Sequence, residues 1–286
     1  MASKVRVQEE VKYSIIVVCL NSGQRLIDTV ESILCQDYKN YEIIIKDGES
    51  KDGSIEQVRV QFAEYKDKIH IYCEKDMGIY DAMNQAIRYA SGEYYLFLNT
   101  GDSFYDEHVL GKITYGILKE RKENNVNPDI IYGNMYHKAL DNVIYAAPQI
   151  NDFTCYRNVP CHQTCFYHKS MFAERGYEPK YNVRADYEHF LWCFYERKAT
   201  ICYVSVIIAS YEGGGYSETK EHKKQSEKQH LEITTHYMGK AKVLKYRCIM
   251  LLTLAPLRSV FAQNKCFSGI YNGLKTLIYR MKQKRT

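Results

Sequence analysis

Four carboxylates in this chain follow apolar runs. Asp47 follows Tyr41-Glu-Ile-Ile-Ile45, Glu74 and Asp76 follow Ile69-His-Ile-Tyr-Cys73, and Asp102 follows Tyr94-Tyr-Leu-Phe-Leu98. Ligands of open α/β sheets bind at the carboxyl ends of the strands. A carboxylate delivered there by a rigid strand is a natural partner for a hard cation such as Mg²⁺ or Mn²⁺. Each acidic residue alone reads more readily as a loop carboxylate than as a ligand, and Asp102 also as a helix cap with Ser103 and Asp106 as rivals. A fifth carboxylate, Asp186, opens the helical stretch 184–197, where an acidic side chain is favourable against the helix dipole.

The elements that must position these groups are legible in the apolar pattern. Ser14-Ile-Ile-Val-Val-Cys-Leu20 and Tyr94–Leu98 are continuous apolar runs, as expected of strands buried on both faces of a parallel sheet. Leu26, Ile27, Val30, Ile33 and Leu34 share one helical face, and Ile79, Met83, Ala86, Ile87 and Ala90 share another. The loop Lys46-Asp-Gly-Glu-Ser-Lys-Asp-Gly53 is turn-rich, with Ser54 as the expected N-cap of the next helix. Strands alternating with helices through residue 105 predict an α/β, Rossmann-like and mostly parallel sheet. The later half is less regular. Strands are expected over 129–132, 143–147, 164–168 and 200–209, a helix over 184–197, and a Gly-rich loop over 211–217 that either moves over a ligand or merely connects.

No G-x-G-x-x-G follows the first strand, and no G-x-x-x-x-G-K-[ST] occurs. Phosphate must then be held by a metal or by side chains. In order, Ile15-Ile-Val-Val-Cys-Leu-Asn21, Lys46-Asp-Gly-Glu-Ser50, Glu74-Lys-Asp-Met-Gly-Ile-Tyr-Asp-Ala-Met-Asn84, Asn99-Thr-Gly-Asp102, Pro160-Cys-His-Gln163, Ala185-Asp-Tyr187 and Gly213-Gly-Gly-Tyr-Ser217 resemble the motifs of family 2 glycosyltransferases. Each motif is weak alone, but their order over roughly residues 13–220 is specific.

The resemblance implies a GT-A fold and inverting transfer of a sugar from a nucleotide-diphosphate donor to a hydroxyl. It places Asp47 on the base and Asp76 near the nucleotide, with Asn21, Asn84 and Asn99 on the same cofactor-binding side. It makes Asp102 the ligand of a Mn²⁺ or Mg²⁺ ion on the diphosphate, and Asp186 the general base. His162, Gln163 and Ser217 fall toward donor sugar or acceptor, with a polar core pair the other reading of His162 and Gln163. A UDP-sugar is the first expectation for the donor, and a glycan or lipid-linked hydroxyl for the acceptor. One departure matters: where the family's D-x-D supplies several carboxylates, Asn99-Thr-Gly-Asp102 supplies one.

Composition bounds the remainder. At 286 residues, 45% hydrophobic and 26% charged, the chain is an ordinary globular protein, although its 27 tyrosines are unusual. The expected organisation is an N-terminal extension (1–12), a transferase domain (13–220; nucleotide half 13–105, acceptor half 106–220) and a basic helical extension (221–286). The ten cysteines lie mostly in apolar runs and no secretory signal precedes them, which predicts reduced cysteines in a cytoplasmic protein. Cys155, Cys161 and Cys165 near His162 and His168 match no compact zinc spacing. Residues 222–286 carry 14 Lys or Arg against 2 Glu, whereas the preceding chain carries 25 against 32 acidic residues. A basic tail with Leu274, Leu277 and Ile278 predicts peripheral attachment to an anionic inner membrane face. The alternative is a tail packed on the body or on a dimer partner. No nucleic-acid reader module is recognisable. A nucleotidyltransferase would carry a basic Gly-rich loop near the first strand, which is absent. A non-catalytic nucleotide-sugar binder or membrane-associated scaffold stays open as the other class.

Overall fold

Alternating side chains of the first strand bury on opposite faces of a sheet, which is why that strand is apolar without interruption. In the computed structural model, which describes residues 10–213 and 220–253, β1 (Tyr13–Cys19) is buried along its whole length. Ile15 and Val17 join one core and Ile16 and Val18 the other. The chain continues through α1 (Gln24–Leu34), β2 (Tyr41–Asp47), α2 (Ser54–Gln61), β3 (Ile69–Cys73), α3 (Ile79–Ile87) and β4 (Tyr94–Phe97). All four strands run parallel, in the order β3-β2-β1-β4. The expected helix faces do the packing: Leu26, Ile27, Val30 and Ile33 of α1 on one side, Met83 and Ala86 of α3 on the other. Ser54 differs from expectation. It is the first residue of α2, and its own N–H and Oγ bond to Asp52 Oδ1, so Asp52 supplies the capping oxygen.

The second half extends the sheet by mixed pairing. After β5 (Ser103–Phe104) and α4 (Val109–Lys119) come β6 (Ile130–His137), β7 (Asn142–Ile144), α5 (Asp152–Arg157), β8 (Cys165–His168), α6 (Ala185–Tyr195) and β9 (Ile201–Tyr211). The sheet order continues β4-β8-β6-β9-β5, with β7 on β6. Strand β8 runs antiparallel to both β4 and β6, and β9 runs parallel to β6. Two helices follow, α7 (Lys220–Met238) and α8 (Lys240–Leu252), broken at Gly239.

Two cores sandwich the sheet. One is filled from α1 and α4, the other from α3, α6 and Ile233 of α7. Tyr13, Tyr94, Tyr132 and Tyr167 are among its largest fully buried side chains, each with its hydroxyl in reach of a polar atom or packed on other rings. None of the described cysteines is paired.

Candidate active site

Strand register sets the first cluster. Cys19, Asp47 and Cys73 lie side by side at the carboxyl ends of β1, β2 and β3. Asp47 turns its carboxylate onto Ser50, accepting from Ser50 Oγ at 2.5 Å and Ser50 N at 3.0 Å. Asn21, in a left-handed backbone conformation, accepts from the Lys51 N–H, and its own N–H donates to Ser50 Oγ. Beneath them lies Lys46, fully buried, which the sequence reading missed. Its Nζ donates to the carbonyls of Asp47 and Glu74 and sits 3.1 Å from Asp76 Oδ2. Asp76 Oδ1 accepts from Gly78 N. Asp47, Asp76 and Asn21 thus form one rigid rim. Asn84 does not join it, because its amide is spent on both backbone groups of Tyr177, at 2.7 and 2.8 Å.

The second cluster lines a cleft of about 580 Å³ that brings together Asn99, Asp102, His162, Gln163 and Asp186. Asp102 is not a helix cap, since α4 begins only at Val109. The turn carrying it is fixed by Thr29 of α1, whose hydroxyl accepts from Gly101 N and donates to Asp102 O. Gly101 has φ +95°, and a Cβ there would strike Arg25 and Glu212. The Asp102 carboxylate, 4% exposed, accepts from Gln163 Nε2 at 2.7 Å and from Glu212 N at 3.1 Å. Burial pushes its carboxyl above the usual range, against the opposing pull of those two donors. Over this turn, Arg25 and Glu212 pair at 2.8 Å, half exposed.

Asp186 stands in the first turn of α6, whose start is pinned by α7. Arg184 donates to Ser226 O and Oγ, and Val183 N to Gln229 Oε1. Its Oδ1 accepts from Tyr80 at 2.8 Å, and its Oδ2 lies 3.0 Å from His162 Nδ1. Tyr80 was not singled out in the sequence; it lies within the motif quoted for α3 but carries no charge to draw attention. Burial would raise the Asp186 carboxyl, but the His162 contact, Tyr80 and the Tyr187 N–H together hold it below the ordinary carboxylate value. Ser217 lies outside the described residues.

A divalent cation fits here in one way. Among the described residues no three His, Cys, Asp or Glu side chains converge as a metal cage. Asp102 keeps lone pairs beyond its two hydrogen bonds. A hard cation that takes one protein carboxylate and completes its shell with substrate phosphate oxygens and water suits that donor set.

The chain matches the family model described as Glycosyl transferase family 2 over residues 14–177. It belongs to that family. PGL/p-HBAD biosynthesis glycosyltransferases of Mycobacterium tuberculosis and Mycobacterium bovis are 30% identical over 209 residues, 72% of this chain and 79% of theirs. Among solved structures, S. aureus TarS 1-349 in complex with UDP aligns with TM-score 0.61 at 16% identity, covering 79% of this chain and 65% of that one. This chain therefore spans under two thirds of the TarS fragment. The mannosyltransferase PcManGT from Pyrobaculum calidifontis, solved with GDP-Man and Mn²⁺, aligns with TM-score 0.60 at 14% identity, covering 94% and 88%. At such identities the likeness establishes the fold, which is GT-A. This family 2 glycosyltransferase carries its cleft where the carboxyl end of β4 meets the start of α6.

Proposed function

We propose that this glycosyltransferase moves a sugar from a nucleotide-diphosphate donor, first of all a UDP-sugar, to a hydroxyl of a glycan or lipid-linked acceptor, with inversion. The observation that carries the reading is the pairing of two carboxylates in one cleft with opposite environments. Asp102 is buried on the sheet side, and Asp186 faces it from α6, held ionised by His162 and Tyr80. An in-line displacement needs the base on the face opposite the leaving group. A carboxylate that accepts the acceptor's proton contributes roughly 10²–10⁴-fold. Asp186 has that role. The nucleotide lies along the rim of Asn21, Asp47 and Asp76, and its diphosphate points at Asp102. A divalent cation held by Asp102, when bound, supplies neutralisation of the charge that develops on the leaving diphosphate. UDP in one fold neighbour and GDP-Man with Mn²⁺ in another support a nucleotide sugar without choosing its base. A screen of nucleotide sugars with Mn²⁺ or Mg²⁺ for released nucleotide tests the reading. Release from none of them in the presence of acceptor hydroxyls would overturn it in favour of a non-catalytic binder.

We also propose peripheral attachment to the anionic inner face of the membrane. Leu244, Leu251 and Leu252 of α8 are exposed beside Lys240, Lys245 and Arg247. That combination suits an interfacial helix. No helix among the described residues is long and apolar enough to cross a membrane. The expected tail contacts, from residue 254 onward, lie outside the described residues. Because α7 holds the start of α6, substitution is a better probe than truncation. Leu244, Leu251 and Leu252 changed together to Ser should reduce sedimentation with anionic liposomes. Undiminished sedimentation would remove α8 from the contact.

A further inference from the structure

His162 sits between two side chains that dictate its chemistry. Its Nε2 lies 3.1 Å from Asn99 Nδ2, and its Nδ1 3.0 Å from Asp186 Oδ2. With the Asn99 amide nitrogen facing the ring, Nε2 is the acceptor and Nδ1 carries the proton aimed at the carboxylate. Two supports then fix Asp186 from different elements: Tyr80 of α3 on one oxygen and His162 on the other. The ring is 13% exposed, and the loop that bears it also delivers Gln163 to Asp102.

We infer that Asn99 and His162 form a positioning unit for Asp186, in which Asn99 selects the imidazole tautomer and His162 Nδ1–H orients the carboxylate toward the acceptor hydroxyl. This rests on Asp186 being the base. It moves Asn99 and His162 away from the nucleotide and sugar contacts that the motif order suggests for them. His162 is no proton relay. With Nδ1 already protonated and Nε2 occupied by Asn99, the neutral ring has no free lone pair for the acceptor's proton, which stays on Asp186.

The groups facing Asp186 allow a clean pH test. Besides His162 and Tyr80, its charge is felt by Tyr167, Tyr177, Cys161 and Cys165, all of which burial keeps neutral at working pH. Arg184, at the start of the same helix, lines the cleft but is tied to Ser226. His162 is therefore the contact whose removal should move the ionisation of the base. The hydrogen bond from its Nδ1–H acts to lower the Asp186 carboxyl. Without it the acid limb of kcat/KM, where the base becomes protonated, moves to higher pH.

The experiment compares the full-length enzyme with His162→Ala, His162→Asn, His162→Gln and Asp186→Asn, measuring kcat, donor KM and the pH profile. A misaligned base costs on the order of 10²-fold. His162→Ala should lose kcat on that scale with donor KM held, and its acid limb should move up. His162→Asn, whose amide N–H falls near the position of Nδ1, should recover rate and limb. His162→Gln, whose amide reaches toward Nε2, should not. If His162→Ala loses rate with an unmoved limb, or if Asn and Gln behave alike, the positioning role is wrong. A raised donor KM with kcat unchanged would instead make His162 a donor contact. Asp186→Asn separates the two readings. If it retains transfer, the base assignment fails and this inference with it. If it is inactive while His162→Ala leaves the limb in place, only the inference fails.

Discussion

The two halves of the sheet reach the same cleft by different means. In the first, β1 to β4 run parallel and end at one edge, so Asn21, Asp47, Asp76 and Asp102, at or just beyond the strand ends, gather there by strand register, and contacts such as Thr29 to the Asp102 turn then fix them. In the second, nothing local suffices. Asp186 depends on Tyr80 from α3, on His162 from the loop before β8, and on Ser226 and Gln229 of α7 to hold the start of its helix. A parallel, doubly wound unit delivers side chains by repetition. A mixed-sheet unit must assemble them from distant segments, and the base sits in the assembled half.

Substitutions can test that contrast. The largest effect belongs to the assembled half: Asp186→Asn should lower kcat about 10²–10⁴-fold while leaving donor binding intact, measured by transfer assay and nucleotide titration. Donor binding lost in parallel would mean that the two halves are not separable. Next comes the repetitive half, where Lys46→Met should cost about 3–5 kcal/mol by leaving the Asp76 carboxylate, 12% exposed, without its cation. A urea midpoint unchanged from wild type would show that the rim does not need its buried lysine.

The assembled half also carries an acid weakness. His189 of α6 is wholly buried, stacked 4.4 Å from the Phe172 ring, and burial pushes its pKa down to about 3 from 6.5. The unfolded chain binds the proton first, so the stability His189 allows is complete above about pH 6.5. It declines as pH falls toward 3, by about 2 kcal/mol at pH 5. His189→Phe should flatten the fall of stability between pH 7 and 5. An unchanged slope would place the acid sensitivity elsewhere. The smallest effect is expected where the halves touch at the surface. The pair Arg25–Glu212 is 59% and 46% exposed, so Arg25→Ala should cost only about 0.2–1 kcal/mol in a thermal melt. A larger loss would mean that this contact clamps the turn beneath it.

The repetitive half is the part whose architecture can be read from the sequence pattern. Apolar strands between amphipathic helices predict a parallel sheet with helices packed on it, because both faces of such a sheet must be covered. Once the strand order follows, the carboxylates after each strand have to gather at one edge. Asp47, Asp76 and Asp102 were legible for that reason, as was the family through the order of its motifs. Tertiary structure decided the rest. The sequence pattern gives Asn84 the same standing as Asn21, yet its amide pins Tyr177. Lys46 reads as the first residue of a turn-rich loop and is the buried cation behind Asp76. Tyr80, Asn99 and His162 converge on Asp186 from positions 106, 87 and 24 residues away in the chain. Hydrogen bonds act over about 3 Å whatever the sequence separation. Which polar side chains meet is therefore settled by how the sheet and its helices pack.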